Sequence, residues 1–181
     1  MKFLNKVATV LLGGSLLFLS SPAKASTDGH EELWDSLEDV GITIVVNNSE
    51  HCDGDINGAY LPLKRTLIVC QDNASSLTTS QVAWTSNDLD TLRHEAHHVL
   101  QDCLKGELGD GYARPFFDDF DEYTDFVEDS LTERQIEKII KSYREYGADD
   151  ATIFLELEAF AVAKDISPEL IAEAIDGLCR V

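Results

Sequence analysis

The spacing of hydrophobic residues predicts a long amphipathic helix over residues 88–104. Apolar side chains recur there at intervals of three and four residues, which places them on one helix face; they are Leu89, Leu92, Ala96, Val99, Leu100 and Cys103. Ser86 and Asn87 are candidate N-caps because their short side chains can accept from the first backbone amides. We therefore expect a helix with one buried face near the centre of the chain.

The segments before this helix predict one short helix and a small antiparallel sheet. Amphipathic spacing favours a helix over 31–40, and the β-branched run 42–46 favours a strand. Residues 59–61 and 66–70 are typical of a hairpin that turns at 62–65.

The segments after the central helix predict a helical half. A Gly- and Pro-containing loop covers 106–120, and the capping-box sequence at 130–133 indicates a helix start. An apolar helix follows Asp149 and Asp150, and Ser167-Pro168 is typical of an N-cap followed by the first helical residue. Helices on a small antiparallel sheet make the expected fold class α+β.

The central helix carries the candidate chemistry, His94-Glu95-Ala96-His97-His98. Histidines four residues apart lie on one helix face, where both can bind one zinc ion. Glu95 then lies beside the metal, where it can take a proton from a zinc-bound water as general base. His97 is rotated off that face and is expected at the surface or in contact with a ligand. Three histidines on a surface helix by chance is the less favoured alternative.

The first 25 residues are typical of a secretory signal peptide. Lys2 and Lys6 precede an apolar stretch over 7–19, and Ala23-Lys24-Ala25 matches a cleavage site. We expect a mature domain over 26–181, secreted or periplasmic. Because the segment carries three lysines and no acids, its removal would change the net charge from −20 to −23. Such a charge disfavours nucleic acid and membrane partners, and we attribute it to solubility.

Four cysteines remain after the expected cleavage, and an even count in an exported chain predicts two disulfides. Three pairings are possible. We predict Cys52–Cys70, which would staple the hairpin region, and Cys103–Cys179, which would tie the central helix to the last one.

The His-Glu-x-x-His motif, the hairpin before it and a downstream glutamate resemble the minimal zincin metallopeptidase fold. The metzincin branch is excluded because Gln101 and Leu104 stand where it has glycine and a third histidine. The gluzincin branch takes its third ligand from a glutamate on a later helix, so the resemblance implies that Glu156 or Glu158 binds zinc.

We choose Glu158 as the third ligand, with His94 and His98 as the other two. Its neighbours one turn away are apolar, so an unpartnered carboxylate would be costly there. Glu156 shares a helix stripe with Thr152, which favours contact with solvent. Glu156 stays the open alternative.

Other parts of the expected site are open. Several gluzincins carry an aspartate four residues after the ligand glutamate, but here Val162 follows Glu158 at that distance. Asp125, Asp165 or a backbone carbonyl could instead bond a zinc-ligating histidine. Tyr112 or Tyr123 could donate a hydrogen bond to the tetrahedral intermediate. The acidic run 118–129 is expected to be a solvated face rather than a calcium site.

The sequence therefore predicts an exported zinc-dependent metallopeptidase acting on peptide or protein substrates. The resemblance implies an extended peptide along the edge strand of the hairpin. One alternative is a secreted, zinc-containing binding module without turnover, and another is an acidic interaction protein with a decayed motif. Intact Glu95 favours the enzyme, because a structural metal site needs no general base.

Overall fold

The structure, a computed structural model, describes residues 28–52, 56–74, 81–104 and 107–179. The expected signal peptide lies outside these residues. The described ranges contain the strands β1 (Thr43–Val46), β2 (Gly58–Leu61) and β3 (Thr66–Val69). Their helices are α1 (Asp28–Asp39), α2 (Ser86–Cys103), α3 (Phe120–Ser130), α4 (Glu133–Glu145), α5 (Asp150–Asp165) and α6 (Pro168–Leu178). The predicted α+β class is confirmed. No helix in these ranges is long and apolar enough to cross a membrane.

The sheet is mixed, so the prediction of an antiparallel sheet is wrong for β1. The predicted hairpin is present, with β2 antiparallel to β3. β1 lies on the other edge of β3 and runs parallel to it. The reason is the path of the chain between β1 and β2. Asn47 N donates to Val69 O and Cys70 N donates to Asn57 O, so this connection crosses the end of β3.

Helix α2 is the centre of the core. It contacts β2, β3, α5 and α6, and its buried apolar face consists of Leu92, Ala96, Val99 and Leu100. It begins at Ser86, and its N-cap is Thr85, one residue before the expected caps, because Thr85 accepts from Asp88 N and Asp88 in turn accepts from Thr85 N. The motif therefore lies in the middle of a helix that is packed on both sides.

Both predicted disulfides are present, Cys52–Cys70 and Cys103–Cys179. The first fixes the β1–β2 connection to the end of β3. The second joins the last residue of α2 to the residue after α6. A loop closure of this kind typically stabilises a protein by about 2–4 kcal/mol.

The C-terminal half is helical as predicted. Most of the acidic run lies in α3, which Asp119 caps and which buries Tyr123 and Val127. Its residues Asp121, Asp125, Glu128 and Asp129 are exposed, as expected for a solvated face. The capping box of α4 lies two residues later than expected and pairs Thr132 with Gln135.

Candidate metal centre

The structure brings His94, His98 and Glu156 together. His94 Nε2 lies 3.1 Å from His98 Nε2 and 3.1 Å from Glu156 Oε2. His98 Nε2 lies 3.4 Å from Glu156 Oε1. The two histidines come from consecutive turns of α2, and the carboxylate comes from α5, which packs along α2. These three side chains could hold a metal ion.

The spacing of these atoms fits one small cation. Ligand atoms about 2.0–2.1 Å from an ion in tetrahedral directions lie about 3.3–3.4 Å from one another. The separations here are 3.1–3.4 Å. The side chains of His94, His98 and Glu156 keep 10%, 15% and 15% exposure, so the group is enclosed but open on one side.

The structure places Glu156, and not the predicted Glu158, beside the two histidines. The side chain of Glu158 is fully buried on the other side of α5 from Glu156, and it meets four donors. His97 Nε2 lies 2.9 Å from the carboxylate and Gln101 Nε2 2.8 Å from it. The amides of Phe116 and Phe117 donate to it as well. The buried carboxylate has partners as expected, but they are protein donors.

His97 is off the face of His94 and His98 as predicted, and it is buried rather than exposed. Burial acts to lower its pKa, and its contact with Glu158 only partly opposes this. Burial acts to raise the pKa of Glu158, but the His97 contact and the bonds from Gln101 and Phe116 outweigh burial and lower it. A neutral His97 therefore faces an ionised Glu158.

Glu95, the predicted general base, lies in the same cavity as the three candidate ligands. Burial raises the pKa of its carboxyl; the neighbouring His94 and His98 act to lower this pKa, and the charge of Glu156 acts to raise it further. The Tyr60 backbone amide also faces the carboxylate and acts to lower the pKa. Strand β2 passes very close to Glu95 because Gly58 has no side chain. A Cβ at Gly58 would lie 2.6 Å from Thr91 Cγ2 and 3.1 Å from Glu95 Cγ.

The cavity has a volume of about 300 Å³. The edge strand β2 forms one wall, with Tyr60 donating from its hydroxyl to Asp102 Oδ2 at 2.8 Å. Helices α4 and α5 form the opposite wall through Tyr143, Thr152 and Leu155. The cavity thus joins the candidate ligands, the candidate base and an unpaired edge of the sheet.

His98 and the two carboxylates of this cavity interact electrostatically. Burial acts to lower the pKa of His98, but its bond to Glu156 and the charges of Glu156 and Glu95 raise that pKa to about 9. Burial acts to raise the pKa of Glu156, but the bonds and charges of His94 and His98 outweigh it and lower that pKa. The carboxylate is therefore ionised, as a metal ligand must be.

Neither tyrosine predicted as a hydrogen-bond donor lines the cavity. Tyr112 is 64% exposed, and the Tyr123 hydroxyl donates to Phe154 O. Tyr143 lines the cavity instead and hydrogen-bonds to Glu156. Burial and the Glu156 charge raise its pKa, so the phenol stays protonated. The amphipathic sequence of α4 gives no sign of this role, because only packing against α5 brings Tyr143 to the cavity.

The partners of the two histidines also differ from those predicted. Gln101 Oε1 lies 2.7 Å from His98 Nδ1, the place considered for Asp125, Asp165 or a carbonyl. Asp125 and Asp165 are exposed on α3 and at the end of α5. His94 Nδ1 has no hydrogen-bond partner among the described residues. The signal for Gln101 was present in the sequence, since it follows His98 by three residues and so lies one turn away.

Comparison of this chain with protein-family models, with curated proteins and with solved structures finds no match. The three side chains His94, His98 and Glu156 could hold a metal ion, but they do not determine which metal it is. The two disulfides indicate an oxidising, extracellular environment.

Proposed function

We propose that this chain is an exported zinc metallopeptidase. The observation that carries the proposal is that the buried Glu95 shares one cavity with His94, His98 and Glu156. A site that only stores or presents a metal does not need a buried carboxylate beside the ligands.

Zinc is the metal that this ligand set favours. Two imidazoles and one carboxylate are a common catalytic zinc set, in which a fourth position stays open. Calcium and magnesium prefer sets made only of oxygen ligands. The partial exposure of the three side chains supports an open fourth position.

Different residues of the chain have different roles in the proposed reaction. A zinc ion at such a site lowers the pKa of water and polarises the substrate carbonyl. Glu95 takes up the proton of the attacking water at its carboxylate and passes it to the leaving amine. The Tyr60 amide holds that carboxylate in position. Tyr143 is the proposed hydrogen-bond donor to the oxyanion, towards which its hydroxyl proton would turn from Glu156.

The proposed substrate is a peptide in extended conformation. Strand β2 is an edge of the sheet and lines the cavity through Gly58, Ala59 and Tyr60. An edge strand presents unpaired backbone groups to which an extended chain can add. A peptide bound in this way would run along the cavity that holds Glu95 and the candidate ligands.

Export to the periplasm or the cell exterior agrees with the two disulfides and the predicted leader.

The second candidate function is that of a secreted binding module that holds zinc without turnover. It explains the three ligands and the disulfides as well as the enzyme does. It leaves the buried Glu95 in the cavity without a role.

Glu95→Gln tests the proposal, because an amide of similar shape cannot accept the proton. The mature protein with zinc is assayed on a fluorogenic peptide library, and zinc content is measured on the same samples. We expect Glu95→Gln to bind zinc as the parent does and to lose nearly all hydrolysis. Glu128→Gln, on the exposed side of α3, is the matched control and should keep full activity. A parent that binds zinc and cleaves nothing would support the binding module.

A further inference from the structure

The side-chain amide of Gln101 has only one possible orientation. Gln101 is fully buried, and its Nε2 lies 3.0 Å from Leu155 O and 2.8 Å from Glu158 Oε2. Both of these atoms are acceptors, so the NH2 group must face them. Its oxygen, Oε1, must then face His98 Nδ1 at 2.7 Å.

This orientation decides which nitrogen of His98 carries a proton. Gln101 Oε1 can only accept, so His98 Nδ1 must donate. A neutral imidazole with its proton on Nδ1 has its lone pair on Nε2. Nε2 is the atom that faces His94 and Glu156.

We propose that Gln101 is a positioning residue that holds the proton of His98 on Nδ1 and so keeps Nε2 turned towards the metal. The inference rests on the metal site of the proposed function. Nδ1 keeps this proton whether the ring is charged, neutral or bound to a metal through Nε2. The ring is therefore oriented before a metal binds.

Glu158 prevents the side-chain amide of Gln101 from adopting the reversed orientation. Its carboxylate is fully buried and receives donors from His97, Phe116 and Phe117 besides Gln101. A reversed amide would place Gln101 Oε1 against this carboxylate, with two acceptors in contact and no proton between them. Glu158 thus acts on the metal site through Gln101, without touching the metal.

The hydrogen bonds of Gln101 and Glu158 also connect the candidate ligand His98 to the wall of the cavity. Gln101 O accepts from Arg114 N, next to the cavity residue Ala113, and Glu158 accepts from the amides of Phe116 and Phe117. Partners of this kind typically contribute 10- to 100-fold to metal affinity.

Gln101→Leu removes the acceptor with little change in volume, and Gln71→Leu is the matched control. Gln71 is also buried and its side chain also makes three hydrogen bonds, to Asn47 and to both backbone groups of Val82. It lies outside the cavity lining. The two variants should therefore lose similar stability but differ at the metal site.

Two measurements are made on the parent and both variants. Long-range ¹H–¹⁵N spectra of histidine-labelled protein report the proton on His98 Nδ1, with and without zinc. Competition with a chromophoric chelator reports the zinc Kd. We expect a protonated, slowly exchanging Nδ1 in the parent and in Gln71→Leu. In Gln101→Leu we expect the Nδ1 proton to exchange rapidly with water, so that its signal is lost in the metal-free protein, and we expect the Kd to rise by about 10- to 100-fold.

A parent with no proton on His98 Nδ1 overturns the proposal. So does a Gln101→Leu variant whose Kd stays within about twofold of the parent's, or a Gln71→Leu variant that loses as much affinity. If the parent binds no zinc, the metal site of the proposed function is wrong. The Nδ1 spectra of the metal-free parent and Gln101→Leu then still confirm or overturn the role of Gln101 in orienting the ring.

Discussion

The interface between α2 and α5 has two sides that use the same residue types in different ways. On the cavity side, His94 and His98 meet Glu156, with Tyr143 beside it. On the interior side, His97 meets Glu158. Each side therefore has imidazole and carboxylate within hydrogen-bond distance, but only one of them faces a cavity.

The two sides differ in the hydrogen-bond donors that surround the carboxylate. Glu158 receives two backbone amides, the Gln101 amide and His97, so its charge is balanced by hydrogen bonds. Buried carboxylates are stable when they are partnered in this way. Glu156 receives no backbone amide in the described part of the chain, and its close neighbours are imidazole nitrogens and a phenol. Such a group of side chains could hold a metal cation.

Replacing each carboxylate by an amide should give the largest difference between the two sides, in zinc binding and in stability. We expect Glu156→Gln to weaken zinc binding by about a thousand-fold, or about 4 kcal/mol, because one of three ligands loses its charge. The free energy of unfolding of the metal-free protein should fall by no more than about 2 kcal/mol, the contribution of the His98 contact, since the side chain is partly exposed. Isothermal titration with zinc and urea unfolding measure the two quantities.

The matched variant is Glu158→Gln, which should show the reverse pattern. It places an NH2 group among donors in a buried site, and we expect a loss of about 3 kcal/mol of stability. Zinc binding should weaken by no more than about tenfold, since the effect passes through Gln101. If Glu158→Gln is the variant that abolishes zinc binding, the assignment of the two sides is wrong.

Replacing Tyr143 or Tyr123 by phenylalanine should give a smaller contrast, in which one change lowers kcat and the other lowers stability. Tyr143→Phe removes the donor in the cavity, and we expect kcat to fall by about 100-fold, or about 2.7 kcal/mol. KM should change little, and zinc affinity should fall by no more than about tenfold, because Tyr143 also contacts Glu156. Tyr123→Phe removes a hydrogen bond to Phe154 O, which should cost about 1 kcal/mol of stability and leave kcat unchanged. Equal kcat values for Tyr143→Phe and its parent would remove Tyr143 from the mechanism.

The pH dependence of the metal-free protein gives the smallest expected effect. The pKa of His98 in the folded protein is raised from 6.5 to about 9. Its contribution to stability is therefore fully present below pH 6.5 and is lost as the pH rises through about 9. We expect a loss of about 2 kcal/mol over this range in chelator-treated protein. The lowered pKa of Glu156 describes the same interaction and adds no second contribution.

Glu156→Gln is the control for this pH dependence, because it removes the charge that raises the pKa of His98. Urea unfolding at about pH 6 and about pH 10 should show a smaller difference for the variant than for the parent. Parallel pH profiles for the two proteins would mean that the histidine and the carboxylate do not interact as the structure has them.

Local signals in the sequence predicted much of this fold. The helical spacing of Leu92, Ala96 and Val99 indicated α2, and the hairpin and both disulfides followed from strand pattern and cysteine count. The parallel pairing of β1 was missed because it depends on the path of the connection past Val69. No local pattern determines such a path.

The candidate site was predictable only where its residues share one helix. His94, Glu95 and His98 lie in α2, so their spacing placed them together. Helix α5 is apolar nearly all round, so its sequence does not show which of its two glutamates faces the histidines of α2. A buried carboxylate needs a partner, but the sequence alone does not distinguish a metal from the amides of the loop after α2.

The central claim is that His94, His98 and Glu156 hold one metal ion. Crystals of the mature protein grown with zinc, measured on both sides of the zinc absorption edge, test it most directly. We expect one anomalous peak per chain, about 2.0–2.1 Å from His94 Nε2, His98 Nε2 and a Glu156 oxygen. Glu158 should keep its bonds to His97 and Gln101 in the same map. A peak coordinated by Glu158, or zinc-replete crystals with no peak between the two histidines, would contradict the claim.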